Sequence, residues 1–255
     1  MNDLTTFSGL GFTLLTIIVG WIAGVLLNYL ADVLPRTRSL SSPTCHNCEV
    51  KRSLSEVLFP QKCRNCQTPP KKRVWVVQIT TLIAVPLLRF FPPPALGFWL
   101  SLVVFLYLAV VFIIDVEHRA ILHQVSIVGV ILAIPFGLWL NGWLATLIGA
   151  AVGFGVMLAL YYFGILFNRY MSRARGQEIE EVALGFGDVI LSGILGIALG
   201  SPRIIVCLFF AILMGGLSSG IYILISLVLK RYRAFTAIPY APFLVLAAVV
   251  LIYMA

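Results

Sequence analysis

The chain has 255 residues, of which 60% are hydrophobic and 11% are charged, and its mean hydropathy is +1.02. This composition is far more apolar than that of a soluble globular domain and excludes that class. The formal net charge of +8 fits the basic cytoplasmic loops of a membrane protein, so we expect no nucleic acid partner.

Apolar runs of the length that crosses a bilayer, about 17 to 25 residues, follow one another along the chain. They are predicted at 8–31, 74–91, 95–114, 121–140, 143–167, 186–200, 204–229 and 236–254. The sequence therefore predicts an all-α polytopic membrane protein with about eight transmembrane helices in contact with membrane lipid. The first run lacks a preceding basic residue and a small-residue cleavage site, which favours a retained helix over a signal peptide.

The basic residues indicate the orientation of these helices. With the amino terminus outside, every Lys and Arg except Arg89 and Arg203 falls in a cytoplasmic segment, in agreement with the positive-inside rule. We therefore expect the long polar segment 35–73 to lie in the cytoplasm, between a first transmembrane helix at 1–34 and a membrane-embedded core at 74–255.

The segment 35–73 contains two Cys-x2-Cys pairs separated by fourteen residues. This spacing is typical of a small zinc-ribbon-like domain. Two disulfides are the alternative, but cytoplasmic thiols stay reduced. We expect a structural Zn²⁺, because about forty residues bury too little core to fold unaided and four thiolates leave no open coordination position. The predicted ligands are Cys45, Cys48, Cys63 and Cys66.

Glycines four residues apart occur in three predicted helices and are typical of closely packed helix pairs in membranes. Packing explains such pairs more simply than ligand binding does. The pairs are Gly20 and Gly24, Gly149 and Gly153, and Gly216 and Gly220.

Two carboxylates lie at the cytoplasmic ends of predicted spans. Asp115 ends the third span and Asp188 begins the sixth, so the predicted topology puts both at one depth. Two carboxyl groups that share a proton can act as base and acid in peptide hydrolysis. Gly185 and Gly187 lack side chains, so an extended peptide could approach beside Asp188. The alternative is that Asp188 is a helix N-cap and Asp115 pairs with Arg119 at i+4.

Several segments resemble the type IV prepilin peptidases, a family of GxGD aspartyl intramembrane proteases. GFGD at 185–188 resembles the family signature, and IDVEHRAIL at 114–122 resembles the segment that holds its first catalytic aspartate. GVLLNYLADVLPR at 24–36 is similar to its opening motif, and IPYAPFLVLAAVV at 238–250 is similar to its closing P-F-G-P-F-L-A-x-G-A. The paired Cys-x2-Cys motifs match its zinc-binding cytoplasmic loop.

This resemblance implies that Asp115 and Asp188 form the catalytic dyad of an aspartic endopeptidase. Such an enzyme removes the basic leader from prepilin or pseudopilin substrates, for type IV pili and protein secretion, at the cytoplasmic face of the bacterial inner membrane. Family members with a long cysteine loop often also methylate the new amino terminus. The resemblance thus implies S-adenosylmethionine as a second cofactor and N-methyltransferase as a second activity.

The chain departs from the family pattern near the expected site. Ile190 stands where a lysine usually follows GxGD, Leu122 and His123 stand where Pro and Asp or Asn usually follow Ile121, and Gln78 stands where a Glu is usual. His123 is a candidate for a conditional positive charge near the dyad; the alternative, which is commoner for a lone histidine near a helix start, is an interfacial residue. The alternative function is therefore a catalytically degenerate homologue that acts as a membrane assembly factor. A transporter is disfavoured, because both acids lie at one membrane face.

Overall fold

A computed structural model of the chain describes residues 2–175, 184–229 and 239–254. These residues form helices joined by turns and loops, with a single isolated antiparallel bridge between Thr44 and Lys51. The predicted all-α class is therefore confirmed. The helices are α1 (Asn2–Thr37), α2 (Leu54–Leu58), α3 (Lys72–Phe90), α4 (Gly97–His118), α5 (His123–Arg175), α6 (Phe186–Leu199), α7 (Arg203–Val228) and α8 (Ala241–Tyr253).

Five of the helices in the described residues, α1, α3, α4, α5 and α7, are long and apolar enough to cross a membrane. They make the chain a multi-pass membrane protein. The 53-residue α5 contains the fourth and fifth predicted spans, because Gly142 has φ 75° and ψ 168° and interrupts the helix between them. Glycine adopts this conformation without a Cβ clash. Each predicted apolar run thus corresponds to a helical segment.

The two short apolar helices, α6 and α8, have 14 and 13 residues. A helix that crosses the hydrocarbon core needs about 20 residues, so neither is long enough to span a bilayer by itself. The predicted last span begins at 236, and residues 230–238 lie outside the described part of the chain. The acidic segment 176–183 also lies outside the described residues. The predicted orientation of the helices and the predicted domain boundaries at 34 and 73 stay predictions.

The chain divides into two units, residues 1–110 and residues 111–255. In the first unit, α1 packs closely on α3. A Cβ atom placed on Gly20 would lie 3.0 Å from the carbonyl oxygen of Thr81, and one placed on Gly24 would lie 2.8 Å from Gln78 Oε1. The predicted packing role of this glycine pair is confirmed. The buried apolar residues of the unit include a cluster of Ala23, Val85, Leu88 and Leu102.

Buried amide side chains also join α1 to α3. Asn28 Nδ2 donates to the carbonyl oxygen of Val74 at 3.1 Å, and Gln78 Nε2 donates to the carbonyl oxygen of Trp21 at 2.9 Å. Gln78 is 1% exposed. Its departure from the family pattern therefore coincides with a helix-to-helix hydrogen bond inside the first unit.

In the second unit, α5 and α6 meet backbone to backbone. A Cβ atom on Gly149 would collide with the carbonyl oxygen of Gly196, and one on Gly153 would collide with that of Ser192. The predicted packing role of Gly149 and Gly153 is confirmed. For Gly216 and Gly220, no described atom lies within 4 Å of a Cβ placed on either residue. The described residues therefore provide no close helix contact at this pair, and its predicted packing role stays a prediction.

Candidate active site and metal site

The two Cys-x2-Cys pairs form matching turns. The N–H of Glu49 donates to the carbonyl oxygen of Cys45 at 3.1 Å, and the N–H of Gln67 donates to that of Cys63 at 2.9 Å. Glu49 and Gln67 both have positive φ, 57° and 54°. In each turn the first cysteine also donates its N–H to the carbonyl oxygen five residues on, at 2.8 and 3.1 Å. The same local backbone fold therefore presents each pair of sulfur atoms.

The four sulfur atoms lie within 4.8 Å of one another. The distance from Cys45 Sγ to Cys66 Sγ is 3.5 Å, and that from Cys48 Sγ to Cys63 Sγ is 3.7 Å. Tetrahedral Zn²⁺ with bonds of about 2.3 Å places its sulfur ligands about 3.8 Å apart. All four residues are free thiols. The cluster therefore fits a metal ion. The alternative of two disulfides is not found, because the four cysteines are not covalently bonded to one another.

Hydrogen bonds prepare some of these thiols for the thiolate form. The backbone N–H groups of Asn47 and Cys48 lower the pKa of Cys45. The hydroxyl and N–H groups of Thr68 lower the pKa of Cys66 to about 6. Although the Val50 N–H lowers it, burial and the neighbouring thiols raise the pKa of Cys48 to about 11. Four thiolates at this spacing repel one another, and a bound cation removes that repulsion.

The cysteine segment is attached to α1 by side-chain contacts. An aromatic contact joins the rings of Trp21 and Phe59 at 5.9 Å. Three polar contacts also connect α1 to the loop: Trp21 Nε1 to Leu58 O at 3.2 Å, Tyr29 Oη to Ser41 O at 2.8 Å, and Arg36 Nη2 to His46 Nδ1 at 2.8 Å. A metal ion that orders the cysteine turns therefore also orders a loop already docked on α1.

The two candidate catalytic aspartates both belong to the second unit. Asp115 lies in the last turns of α4, and Asp188 is the third residue of α6. Their exposures are 5% and 8%, and they are close enough for their negative charges to interact. The fold thus brings together two buried carboxyl groups that the sequence could place only at a common depth.

Asp188 is held by the first turn of its own helix. Its Oδ2 atom accepts a hydrogen bond from the N–H of Gly185 at 3.3 Å, and its own N–H donates to the carbonyl oxygen of Gly185 at 3.1 Å. This reciprocal arrangement resembles a capping box, with the N-cap at Gly185. The expectation that Asp188 is itself the N-cap is therefore wrong by three residues, although its carboxylate does satisfy a backbone donor.

Asp115 is held from α8, an element that sequence reasoning did not connect to it. Its carboxylate accepts a hydrogen bond from the N–H of Ala241 and interacts electrostatically with Arg119. Its Oδ2 atom is buried and has no hydrogen-bond partner among the described residues. The preceding residue, Tyr240, lies close enough to Asp188 to interact with its charge. The closing motif at 238–250 was the signal in the sequence that could have identified these residues.

The glycines beside Asp188 have different surroundings. A Cβ atom on Gly187 would lie 2.8 Å from Ile121 Cβ, so the segment that follows Asp115 packs directly on this glycine. The expected room for a substrate is therefore taken by Ile121 at this position. Around Gly185, only Asp188 Oδ2 at 3.5 Å and Gly187 N at 3.9 Å are near in the described structure. His123 begins α5 with an exposed side chain.

Comparison with known proteins identifies relatives of the segment that contains both aspartates. Residues 102–220 match the model of the type IV leader peptidase family. A protein of Myxococcus xanthus (strain DK1622) named prepilin leader peptidase/N-methyltransferase is 27% identical to this chain over 230 residues. The alignment covers 84% of this chain and 64% of the relative, so the chain spans a little under two thirds of the relative's length. No solved structure matches the chain.

Proposed function

We propose, from the match of residues 102–220 to the model of the type IV leader peptidase family, that the chain is a membrane endopeptidase. Its substrates are type IV prepilins or pseudopilins, and the bond it cleaves joins the basic leader to the mature protein. The observation that carries the proposal is the burial of Asp115 and Asp188 together within the matched segment. Paired buried carboxyl groups are the arrangement that aspartic hydrolysis of a peptide bond requires.

The proposed reaction uses one ionised and one protonated carboxyl group. The ionised group takes a proton from water as the water oxygen forms a bond to the peptide carbonyl carbon. The π electron pair of the carbonyl moves to its oxygen. The protonated group then gives its proton to the amide nitrogen as the C–N bond breaks and the carbonyl re-forms. The pair holds one proton before and after, so water is the only co-reactant.

Backbone donors orient the pair for this reaction. The N–H of Gly185 binds the Asp188 carboxylate, and the N–H of Ala241 binds that of Asp115. Backbone groups of helix termini are rigid, so each carboxyl group is held near one orientation before substrate arrives. We propose Gly185 as an active-site neighbour on this basis. Gly187 contacts Ile121. His123 is an exposed residue at the start of α5.

The cysteine cluster supports a structural role for Zn²⁺ in this enzyme. The ligands would be Cys45, Cys48, Cys63 and Cys66, and four soft thiolates in a tetrahedral arrangement favour zinc over hard cations. When bound, the ion links the two cysteine turns and takes no part in peptide hydrolysis. We propose that segment 35–73 is a cytoplasmic domain and that the amino terminus lies outside the bacterial inner membrane.

A second activity is proposed on narrower grounds. The Myxococcus relative is named as an N-methyltransferase as well as a peptidase. Methyl transfer to the new amino terminus, with S-adenosylmethionine as donor, rests on that name and on no residue contact in the described structure. The peptidase proposal is independent of it.

The test of the peptidase is mass spectrometry of a prepilin co-expressed in membranes with the native chain or with its Asp188→Asn variant. We expect a prepilin shortened to its mature amino terminus only with the native chain, and one added methyl group if the second activity is present. Asp32→Asn is the matched control, because Asp32 pairs with Arg73 at 2.7 Å in the first unit. An intact leader in the presence of the native chain, across several prepilins from the same cell, would favour the assembly-factor alternative.

A further inference from the structure

Tyr240 occupies a defined position at the start of α8, directly before the residue that binds Asp115. It is the N-cap residue of α8, and its ring packs against α7 and α8. A Cβ atom on Gly215 would lie 3.1 Å from Tyr240 Cε2, and the ring of Phe243 lies 6.4 Å away in an edge-on arrangement. The ring is therefore held by packing, which fixes where its hydroxyl group points.

The hydroxyl group of Tyr240 is buried and has no hydrogen-bond partner among the described residues. A buried donor without an acceptor is costly and is rare in folded proteins. Asp188 is near enough for the two groups to interact electrostatically. Asp115 Oδ2 is likewise buried and unpartnered. Among the described residues of the second unit, an unused donor and an unused acceptor thus lie around the same pair of carboxyl groups.

A peptide bond with an attacking water supplies both missing partners. The peptide carbonyl oxygen accepts a hydrogen bond, and the water donates one. We infer that Tyr240 is a catalytic residue of the proposed peptidase, whose O–H group donates to the carbonyl oxygen of the scissile peptide bond while Asp115 Oδ2 accepts from the water. This inference rests on the proposed function and assigns Tyr240 a role in it.

The chemistry of the reaction explains why such a donor accelerates it. When water forms its bond to the carbonyl carbon, the π electron pair moves to the oxygen, which becomes negative. A donor fixed beforehand at that oxygen stabilises the negative charge more than it stabilises the neutral carbonyl. The phenol keeps its own proton throughout, so the proton balance between water, the two carboxyl groups and the leaving amine is unchanged.

The hydroxyl group of Tyr240 distinguishes this chain from the closing motif of the family it resembles. The closing motif P-F-G-P aligns its phenylalanine with Tyr240 in IPYAPF. Ile190 stands where the lysine after GxGD is usual, so this position supplies no positive charge beside Asp188 to stabilise the developing oxyanion.

The test compares Tyr240→Phe with the native chain in cleavage of a purified prepilin. Phenylalanine keeps the ring against Gly215 and Phe243 and removes only the hydroxyl group. We expect kcat to fall about 100-fold, the effect of removing one oxyanion donor, with KM and the thermal midpoint unchanged. The matched control is Tyr107→Phe, because the hydroxyl group of Tyr107 is also buried and unpartnered in the described residues but lies in the first unit. We expect this control to leave kcat unchanged.

If the native chain cleaves the prepilin and the Tyr240→Phe variant has the same kcat, the inference about Tyr240 is overturned and the proposed function still stands. A native chain that cleaves no prepilin would instead remove the proposed function itself. If Tyr240→Phe lowers the thermal midpoint, a protein with 3-fluorotyrosine at position 240 distinguishes a loss of catalysis from a loss of stability. This residue keeps the shape of the tyrosine side chain, and its hydroxyl group is a stronger hydrogen-bond donor. A kcat equal to or above the native value supports the inference, provided that Tyr240→Phe is slower. A kcat as low as that of Tyr240→Phe overturns it.

Discussion

The backbone N–H of Ala241, at the start of α8, donates a hydrogen bond to the carboxylate of Asp115, near the end of α4. This bond joins two residues that are far apart in the sequence. It brings the start of the last helix to the two acids, on α4 and α6, that we propose as the catalytic pair. The preceding residue, Tyr240, is near enough to Asp188 to interact with its charge, as our inference about Tyr240 requires.

Replacement of either aspartate by asparagine should remove cleavage while preserving the fold. Asparagine keeps the shape of the side chain but cannot exchange a proton, and acid–base groups contribute about 10² to 10⁴ in rate. We expect Asp115→Asn and Asp188→Asn to lose activity by this amount in a prepilin cleavage assay. Native-like rates in both variants would contradict an aspartic mechanism.

Replacement of Gly187 by alanine should destabilise the second unit. The new Cβ atom would lie 2.8 Å from Ile121 Cβ, and overpacking of this kind costs about 1 to 3 kcal/mol. We expect a lower thermal midpoint in detergent for Gly187→Ala and partial recovery when Ile121→Ala is added. The matched control is Gly216→Ala, which has no described atom within 4 Å. Equal midpoints for the two single variants would contradict the observed packing.

A substitution at the α5–α6 contact should be more damaging than one at Gly187. A Cβ atom on Gly196 would collide with the carbonyl oxygen of Gly149, and backbone cannot move aside as a side chain does. We expect Gly196→Ala to lower the thermal midpoint more than Gly187→Ala. Gly220→Ala should leave it unchanged or raise it, because alanine favours the helix by about 1 kcal/mol over glycine. A stable Gly196→Ala protein would show that the two helices need not meet this closely.

The cysteine cluster should bind one zinc ion per chain. We expect elemental analysis of the purified protein to give that ratio and Cys48→Ser to lower it, because each thiolate supplies a quarter of the coordination shell. Cys207→Ser is the matched control, since Cys207 is a buried free thiol on α7 outside the cluster. Chelation should also increase protease cleavage within 35–73, since metal binding and folding are coupled in small metal domains. Zinc content unaffected by Cys48→Ser would exclude this site.

Much of this protein could be predicted from its sequence, because the relevant forces are local. A backbone in hydrocarbon must satisfy its hydrogen bonds within the segment, so apolar runs become helices where they occur, as α1, α3 and α4 show. A Cys-x2-Cys pair forms its own local turn, so the spacing within each pair indicates a metal site even without knowledge of how the two pairs pack together. Gly142 interrupts α5 between two predicted spans for an equally local reason, its backbone conformation.

The remaining features depended on how distant segments pack. Hydropathy could not distinguish Gly149, which faces a backbone, from Gly216, which faces no described atom, because the same residue type serves both environments. It could not show that Ile121 fills the space at Gly187 or that Ala241 binds Asp115. The sequence by itself determined the helices, the cysteine turns and the two candidate acids. Only the tertiary structure decided which groups surround those acids, because side-chain neighbours across helices are set by packing and not by position along the chain.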